Sequence, residues 1–163
     1  MGAMITTGLR YYVGAAYTFT RPSDTTAYAD TDLVANSTTA GSVVPLSWVL
    51  PFGGAYSLVG MRLRKSGTTA TNAQFRVHIY TASPVPTNGD NGTWLTTQVA
   101  NYVGHSGTVT LLGFSDGCGV VAMLADPIPL GSLTSRTVYG LIEAKAAYTP
   151  ASAETFTAQV LIG

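Results

Sequence analysis

The clearest feature of this sequence is an alternation of apolar and polar residues in two stretches near its middle. In the first stretch, Val59, Met61 and Leu63 fall on one side of an extended chain, and Arg62 and Arg64 fall on the other. In the second stretch the two sides are Phe75, Val77, Ile79 and Thr81 against Gln74, Arg76, His78 and Tyr80. A period of two is that of a β-strand with one buried face. We therefore predict two adjacent half-buried strands that carry arginines on their outer faces.

The remaining apolar runs predict a protein built of strands. Runs rich in Tyr, Val and Thr that end at Gly and Pro are typical of strands. They lie at residues 11–20, 33–34, 42–50, 108–112, 120–124, 137–144 and 155–162. In the last run, Phe156, Ala158, Val160 and Ile162 share one face. No stretch of about ten residues has the pattern of an amphipathic helix. We predict an all-β fold, an antiparallel β-sandwich of eight or nine strands.

Prolines and glycines mark the predicted ends of these strands. Pro45 interrupts one run, and the sequence Asp126-Pro127-Ile128-Pro129 is predicted to end another. A long loop is predicted over residues 83–93, and Gly104-His105-Ser106-Gly107 predicts a turn. Because long links join short strands, a jelly-roll or Greek-key winding is favoured over a simple meander.

The stretch from residue 17 to residue 37 is predicted to form a corner of the sheet. Arg21 precedes Pro22, which restricts Arg21 to extended geometry and ends the strand there. Asp24 is placed to accept hydrogen bonds from the backbone N–H groups of the threonines that follow it. An ion pair between Asp24 and an arginine, in a buried or intersubunit setting, is the alternative.

We divide the chain into an N-terminal arm, residues 1–10, and a single β-sandwich domain, residues 11–163. A length of 163 residues suits one domain with one substantial core. The arm lacks a charged start followed by an apolar run, so we predict no secretory signal and synthesis in a cytosol. No run of about 18 apolar residues predicts a transmembrane helix.

Charged side chains are scarce in this sequence. They make up 10% of the residues, against roughly 25% in an average soluble domain. Eight basic and eight acidic residues give a formal net charge of zero. This balance argues against nucleic acid or an anionic membrane as a partner, because both attract basic faces. It also leaves little repulsion between copies, so we predict self-association; a soluble monomer coated in Thr and Ser is the alternative.

One short motif fits the pattern of a serine hydrolase. The sequence Gly113-Phe114-Ser115-Asp116-Gly117 matches G-x-S-x-G, which carries chemistry when a strand-to-helix elbow presents the serine. Here a second glycine and an apolar strand follow Ser115, so we predict a hairpin turn. We predict that the protein is not an enzyme and that it uses no cofactor.

The metal-binding residue types do not form a recognisable pattern. His78 and His105 are the only histidines and do not complete a zinc ligand set, so we predict solvent-facing or interface positions for them. Asp30 and Asp32 offer oxygen ligands of the kind calcium takes, but turn-forming aspartates explain the same spacing. Cys118 begins an apolar run without a cationic neighbour, so we predict a buried, unreactive thiol.

A tryptophan follows the long loop. Trp94 comes after the polar sequence Asn88-Gly89-Asp90-Asn91-Gly92. An exposed Trp94 in such a place could stack on a sugar ring, as in lectin loops. A tryptophan that closes the end of a sandwich is the alternative. The sequence leaves both interpretations open.

Several stretches across the chain carry a family resemblance. They are Thr18-Phe19-Thr20-Arg21-Pro22, Asp24-Thr25-Thr26-Ala27-Tyr28, Asp32-Leu33-Val34-Ala35, Leu63-Arg64-Lys65-Ser66 with residues 75–80, Ala82-Ser83-Pro84 with residues 88–92 and Trp94, and residues 143–156. In these stretches the chain resembles structural proteins of tailed bacteriophage virions. The resemblance spans most of the chain.

The resemblance implies a head decoration protein, also called a capsid cement protein, that sits on the capsid surface of the virion as a homotrimer. It implies a β-sandwich or jelly-roll fold, and the major capsid protein and further copies of the chain as partners. A tail, neck or fibre component, or a carbohydrate- or receptor-binding module of the same virion, is the alternative. No catalytic residue carries over. The candidate contacts with other copies or with the capsid are Met4, Ile5, Tyr11, Arg21, Asp24, Tyr28, Arg62, Arg64 and Trp94.

Overall fold

The computed structural model describes residues 12–51, 55–95, 99–132 and 135–163. These ranges contain eleven β-strands and two short 3₁₀ helices. The strands are β1 (Tyr12–Val13), β2 (Tyr17–Thr20), β3 (Leu33–Val34), β4 (Leu46–Val49), β5 (Ala55–Lys65), β6 (Gln74–Tyr80), β7 (Tyr102–Thr110), β8 (Leu112–Phe114), β9 (Gly117–Ser132), β10 (Thr137–Ala144) and β11 (Thr155–Ile162). The 3₁₀ helices are Ala40–Ser42 and Val99–Asn101. The predicted arm and Tyr11 lie outside the described residues.

The strands pair into two antiparallel sheets. The first sheet has the order β1-β11-β5-β9-β8, and β2 pairs with β11 beside β1. The second sheet has the order β3-β10-β6-β7, and β4 pairs with β10 beside β3. The two sheets pack face to face, so the predicted all-β antiparallel sandwich is confirmed.

One cluster of apolar side chains fills the space between the sheets. Phe75, Val77 and Ile79 of β6 are fully buried there, as their alternation predicts. Phe156 and its neighbours on β11 face them from the other sheet, and the rings of Phe75 and Phe156 meet edge to face with centroids 5.3 Å apart. The indole N–H of Trp48 reaches across the core to donate to the carbonyl oxygen of Ala158 at 3.2 Å. Both sheets therefore pack on the same hydrophobic core.

The two alternating stretches lie in opposite sheets. β5 pairs with β11 and β9, whereas β6 pairs with β10 and β7. The prediction that these strands are adjacent in one sheet is therefore wrong. Alternation reports only that one face of a strand is buried, and the link at residues 66–73 carries the chain from one sheet to the other. The apolar sides of β5 and β6 face the same core from opposite sides.

A β-bulge shifts the alternation at the start of β5. Its pairing with β11 moves from Leu58–Ile162 to Gly60–Leu161, so Val59 is an extra residue on β5 between two consecutive pairs. Leu58 is 1% exposed and belongs to the core, whereas Val59 is partly exposed. The predicted core position of Val59 is therefore wrong, because one inserted residue reverses which neighbours face inward.

Glycines and prolines break the strands at different places from those that the sequence predicts, and two of the predicted breaks do not occur. The strand predicted over residues 11–20 is broken at Gly14, where a side chain would lie 2.9 Å from Val160. The strand predicted to end at Asp126 instead continues to Ser132, because its pairing with β5 is irregular at the prolines. The predicted turn at residues 104–107 lies within β7, where Gly104 and Gly107 adopt positive φ.

The outer face of the second sheet is covered by the chain itself. Leu33, Ala35, Tyr80 and Leu141 form a second buried cluster there, separate from the main core. The loop that follows β6 brings Trp94 onto this cluster. The polar side of β6, predicted to face outward, is therefore largely buried, whereas the corresponding side of β5 stays exposed.

Candidate functional site: an exposed face of the first sheet

The predicted corner at Arg21 is a buried ionic cluster. β2 ends at Thr20, and the side chain of Arg21 is completely buried against the carboxylate of Asp90, with the Arg21 Nη2 to Asp90 Oδ2 distance 2.9 Å. The hydroxyl of Tyr28 donates to the other oxygen of Asp90 at 2.6 Å, and the N–H of Ala35 donates to the same oxygen at 2.8 Å. Arg21 Nη1 also donates to the carbonyl oxygen of Asp24 at 2.6 Å. The cluster fastens the loop that holds Asp90 to the corner.

Asp24 both closes a local turn and pairs with an arginine, the two alternatives that the sequence left open. Its carboxylate accepts the N–H of Thr26 at 3.0 Å, which is the predicted turn, and it also accepts from Arg21 Nη2 at 3.2 Å. The pKa of Asp24 is lowered, first by the Thr26 N–H and then by Arg21. Burial alone would lower the pKa of Arg21, but Tyr28 and Asp90 outweigh it and the pKa is raised. The guanidinium is therefore charged, and its role is structural.

A second buried ion pair joins β5 to the segment before β11. Lys65 Nζ lies 3.1 Å from Glu154 Oε1, and both side chains are completely buried. The hydroxyl of Tyr148 donates to the same carboxylate at 2.7 Å, and Lys65 Nζ also donates to the carbonyl oxygen of Gly67. A side chain at Gly67 would collide with Glu154, so only glycine fits there. Both side chains of the pair are therefore enclosed within the fold, with each charge matched by a partner.

His78 lies beneath the loop tryptophan rather than in solvent. Its Nε2 is 2.9 Å from Glu143 Oε2, and its ring stacks on Trp94 with centroids 3.8 Å apart. Burial lowers the pKa of His78 to about 4, although Glu143 opposes the shift. The predicted solvent-facing position of His78 is therefore wrong.

The tryptophan is not presented as an open sugar-binding platform. One face of the Trp94 ring rests on His78, and the indole Nε1 is buried without a hydrogen-bond partner. The ring closes the outer face of the second sheet, which resembles the covering role that the sequence left as the alternative. No observation at Trp94 favours a glycan ligand.

The exposed surface with the most distinctive chemistry is the outer face of β5, β8 and β9. Four large apolar residues on it are more than half exposed: Leu112 (63%), Phe114 (59%), Val121 (53%) and Met123 (58%). Register places them beside two arginines, because Arg62 pairs with Val121 and Arg64 pairs with Gly119. We call this set of six residues the assembly face: Arg62, Arg64, Leu112, Phe114, Val121 and Met123.

A groove of about 410 Å³ crosses the assembly face. Its walls are Arg62 and Arg64 on one side and Leu112 and Phe114 on the other. Gly119 lies between them, since it pairs with both Arg64 and Leu112, and it has no side chain to fill the space. A Cβ there would lie 3.2 Å from Arg64 Cγ. A second cavity of about 340 Å³ adjoins it, where Asp116 and Thr157 add polar groups.

The G-x-S-x-G motif forms the edge of this face. Phe114 and Gly117 pair in the β8–β9 hairpin, and Ser115 and Asp116 form its two-residue turn, as predicted. Both turn residues are exposed. No helix follows the serine, so the strand-to-helix elbow of a hydrolase is not formed. The free thiol of Cys118 is buried, also as predicted.

The candidate contact residues therefore separate into three groups. Met4, Ile5 and Tyr11 lie outside the described residues. Arg21 and Tyr28 are buried within the corner cluster and Trp94 is partly buried, and a contact of these three residues with a partner stays a prediction. Asp24 is partly exposed and bound to Arg21, whereas Arg62 and Arg64 are exposed on the assembly face. The alternation could not locate Leu112 and Phe114, because a short hairpin strand carries no clear period.

The remaining aspartates act within the fold. Asp30 forms an ion pair with Lys145 at 2.6 Å, and Asp32 accepts the N–H of Ala29 at 2.6 Å. In the described ranges no group of three or more His, Cys, Asp or Glu residues is arranged to hold a metal ion.

Comparison with known proteins gives the chain no family. No protein-family model matches it, and no curated protein matches it. The structure defines the class of the protein, an antiparallel β-sandwich, and the described residues include an exposed apolar surface on its first sheet. None of the helices in the described part of the chain is long and apolar enough to cross a membrane.

Proposed function

We propose that the protein is a structural subunit of a bacteriophage virion, which self-associates and decorates the capsid as a head decoration, or cement, protein. In this proposal it has no catalytic role and no cofactor. Its partners are other copies of the chain, as a homotrimer, and the major capsid protein. A tail, neck or fibre position in the same virion is the alternative location.

The observation that carries the proposal is the assembly face. β9 has the continuous apolar run Val120-Val121-Ala122-Met123-Leu124, a pattern typical of a strand buried on both faces. Alternate members of the run pack on the core, but Val121 and Met123 are exposed. A contiguous exposed apolar surface of this kind is a usual mark of a protein–protein contact. The pattern fits a strand whose outer face is covered in the assembled state.

Two further features support an assembly role. The buried charged groups at Arg21 and Lys65 are paired within the fold, which agrees with a structural role for both clusters. The family resemblance, which covers residues on β2, β5 and β6 and in the loop before Trp94, supplies the virion as the setting.

The proposal is tested on purified virions of a phage whose genome encodes this chain. We expect the protein in purified particles at a fixed ratio to the major capsid protein, and as a regular density on the capsid exterior in cryo-electron microscopy. Purified protein should also rebind capsids from which it has been removed. A regular density on the tail would select the alternative location, and absence from purified particles would refute the virion role.

A further inference from the structure

Most of the charged side chains that the structure describes have a partner within the chain. Arg21, Lys65, Arg76 and Lys145 each form an ion pair with one or more carboxylates of the same chain. Arg136 donates to the carbonyl oxygens of Leu50 and Pro51, and Asp32 accepts a backbone N–H. These internal partners account for most of the charged side chains that the structure describes.

Four charged residues in the described ranges have no ion pair and no backbone partner. Arg62 has a single hydrogen bond, to Gln159 at 3.2 Å, and Arg64 has none. Asp116 and Asp126 are exposed and likewise have no hydrogen bond. Two positive and two negative side chains therefore have no charged partner within the chain, and their charges sum to zero.

The unpaired charges lie along one strand pair, with the aspartates outside the arginines. Arg64 and Arg62 are level with Gly119 and Val121 of β9. Asp116 lies in the β8–β9 turn, three positions before Gly119. Asp126 lies five positions after Val121, in the stretch between Met123 and Ile128 where the pairing of β9 with β5 shifts register. Neither aspartate forms an ion pair with the arginines of its own chain.

We propose that the assembly face is a contact between copies of this chain, in which Arg62 and Arg64 of one copy pair with Asp116 and Asp126 of another. The exposed apolar residues between the charges then pack together, and the groove beside Gly119 receives a side chain of the second copy. This inference rests on the self-association in the proposed function and adds the surface and the partner groups.

The chemistry favours a second copy over an unrelated partner. A basic groove alone would fit any acidic surface, but this chain has an equal number of unpaired carboxylates of its own. Apolar side chains of the assembly face lie beside Arg62 and Arg64, so a contact here removes water from both arginines. Pairs in such settings set the register and the choice of partner. A copy that brings Asp116 and Asp126 satisfies both arginines and leaves no new charge unpaired.

The test is the dissociation constant of the oligomer, measured by analytical ultracentrifugation over a concentration series. The variant Arg62→Gln with Arg64→Gln should raise it about 30-fold or more, the effect of truncating one partner of a buried charged pair. The variant Thr108→Asp with Thr110→Asp is the matched control. It changes the net charge by the same two units, at exposed positions on β7 of the other sheet, and should leave the constant within about twofold.

A charge exchange tests the partner groups themselves. The variant that combines Arg62→Glu, Arg64→Glu, Asp116→Lys and Asp126→Lys keeps the net charge at zero and should regain most of the lost affinity. Because Asp116 lies in a hairpin turn, the pair Arg62→Glu with Asp126→Lys is measured alongside and should bind more tightly than Arg62→Glu alone. Thermal unfolding of every variant checks that the sandwich is intact.

Each result decides the proposal. An unchanged constant for Arg62→Gln with Arg64→Gln places the contact elsewhere and overturns this inference, while the virion role stands. Weakening without recovery in either folded exchange variant shows that the arginines meet other groups, which overturns the aspartate partners. A parent protein that stays monomeric overturns both this contact and the self-association in the proposed function, and its presence on virions is then decided separately by microscopy.

Discussion

At the scale of single residues, the fold depends on a few buried charged groups. Arg21 and Lys65 are each fully desolvated, and each is matched by a carboxylate and a tyrosine hydroxyl. Removing one member of such a pair leaves the other charge buried and unmatched, which costs more than the intact pair contributes. These residues are therefore where small substitutions have the largest effects.

The corner provides a direct comparison of a buried and an exposed partner. Asp90→Ala should lower the free energy of unfolding by about 3–5 kcal/mol, because it leaves Arg21 charged and buried. Asp24→Ala should lower it by about 1 kcal/mol, because Asp24 is partly exposed and loses mainly its bond to the N–H of Thr26. Urea unfolding of both variants measures the difference. Equal effects would show that the two carboxylates hold Arg21 equally.

His78 should make stability depend on pH. Its pKa is about 4 in the folded protein and near 6.5 in the unfolded chain. Between these values the unfolded chain binds more protons, so stability falls as the pH is lowered from 6.5 towards 4, by up to about 3 kcal/mol. Other titrating groups remain in the variant His78→Gln, so the difference between parent and variant isolates this contribution. Parallel unfolding profiles from pH 7 to pH 4 would contradict the buried, neutral imidazole.

At the scale of elements, the sandwich is defined by which side of each strand faces inward. Alternation predicted the inward faces of β6 and β11 correctly, because β6 pairs without a register shift with β10, and β11 does so with β5 over residues 156–161. It failed at the start of β5, where a bulge reverses the pattern.

A residue of the core and a residue at the bulge can be compared by truncating each to alanine. Phe75→Ala should cost about 3–5 kcal/mol of unfolding free energy, because it empties a fully buried ring site between Tyr148 and Phe156. Val59→Ala should cost less than about 1 kcal/mol, because Val59 is partly exposed at the bulge. Denaturant unfolding distinguishes them. Comparable losses would mean that Val59 belongs to the core after all.

The sequence predicts local features better than the partners that assemble them. The turn at Asp24, the hairpin at Ser115 and the burial of Cys118 follow from neighbouring residues, and all three are confirmed. The pairing of Arg21 with Asp90 joins residues 69 positions apart, and no local pattern indicates it. The outward direction of Arg62 and Arg64 was predictable, but the apolar half of the assembly face depends on where the β8–β9 hairpin packs.

At the scale of the whole molecule, the two outer faces differ. The second sheet is covered by its own loop, with Trp94 packed on the cluster around Tyr80. The first sheet has no such cover over β8 and β9 in the described residues, and its exposed apolar groups share that area with unpaired charges. This difference between a covered and an uncovered outer face is expected for a subunit that binds other protein through its first sheet.

The account's central claim is that this face joins the protein to other protein. The most direct measurement is the mass in solution, by light scattering at micromolar concentration, of the parent and of Val121→Glu with Met123→Glu. Val44→Glu with Val49→Glu is the control, since both valines are exposed outside the face. We predict an oligomeric parent and control and a folded, monomeric Val121→Glu, Met123→Glu variant. A parent and face variant of equal mass, whether both monomeric or both oligomeric, would contradict the claim.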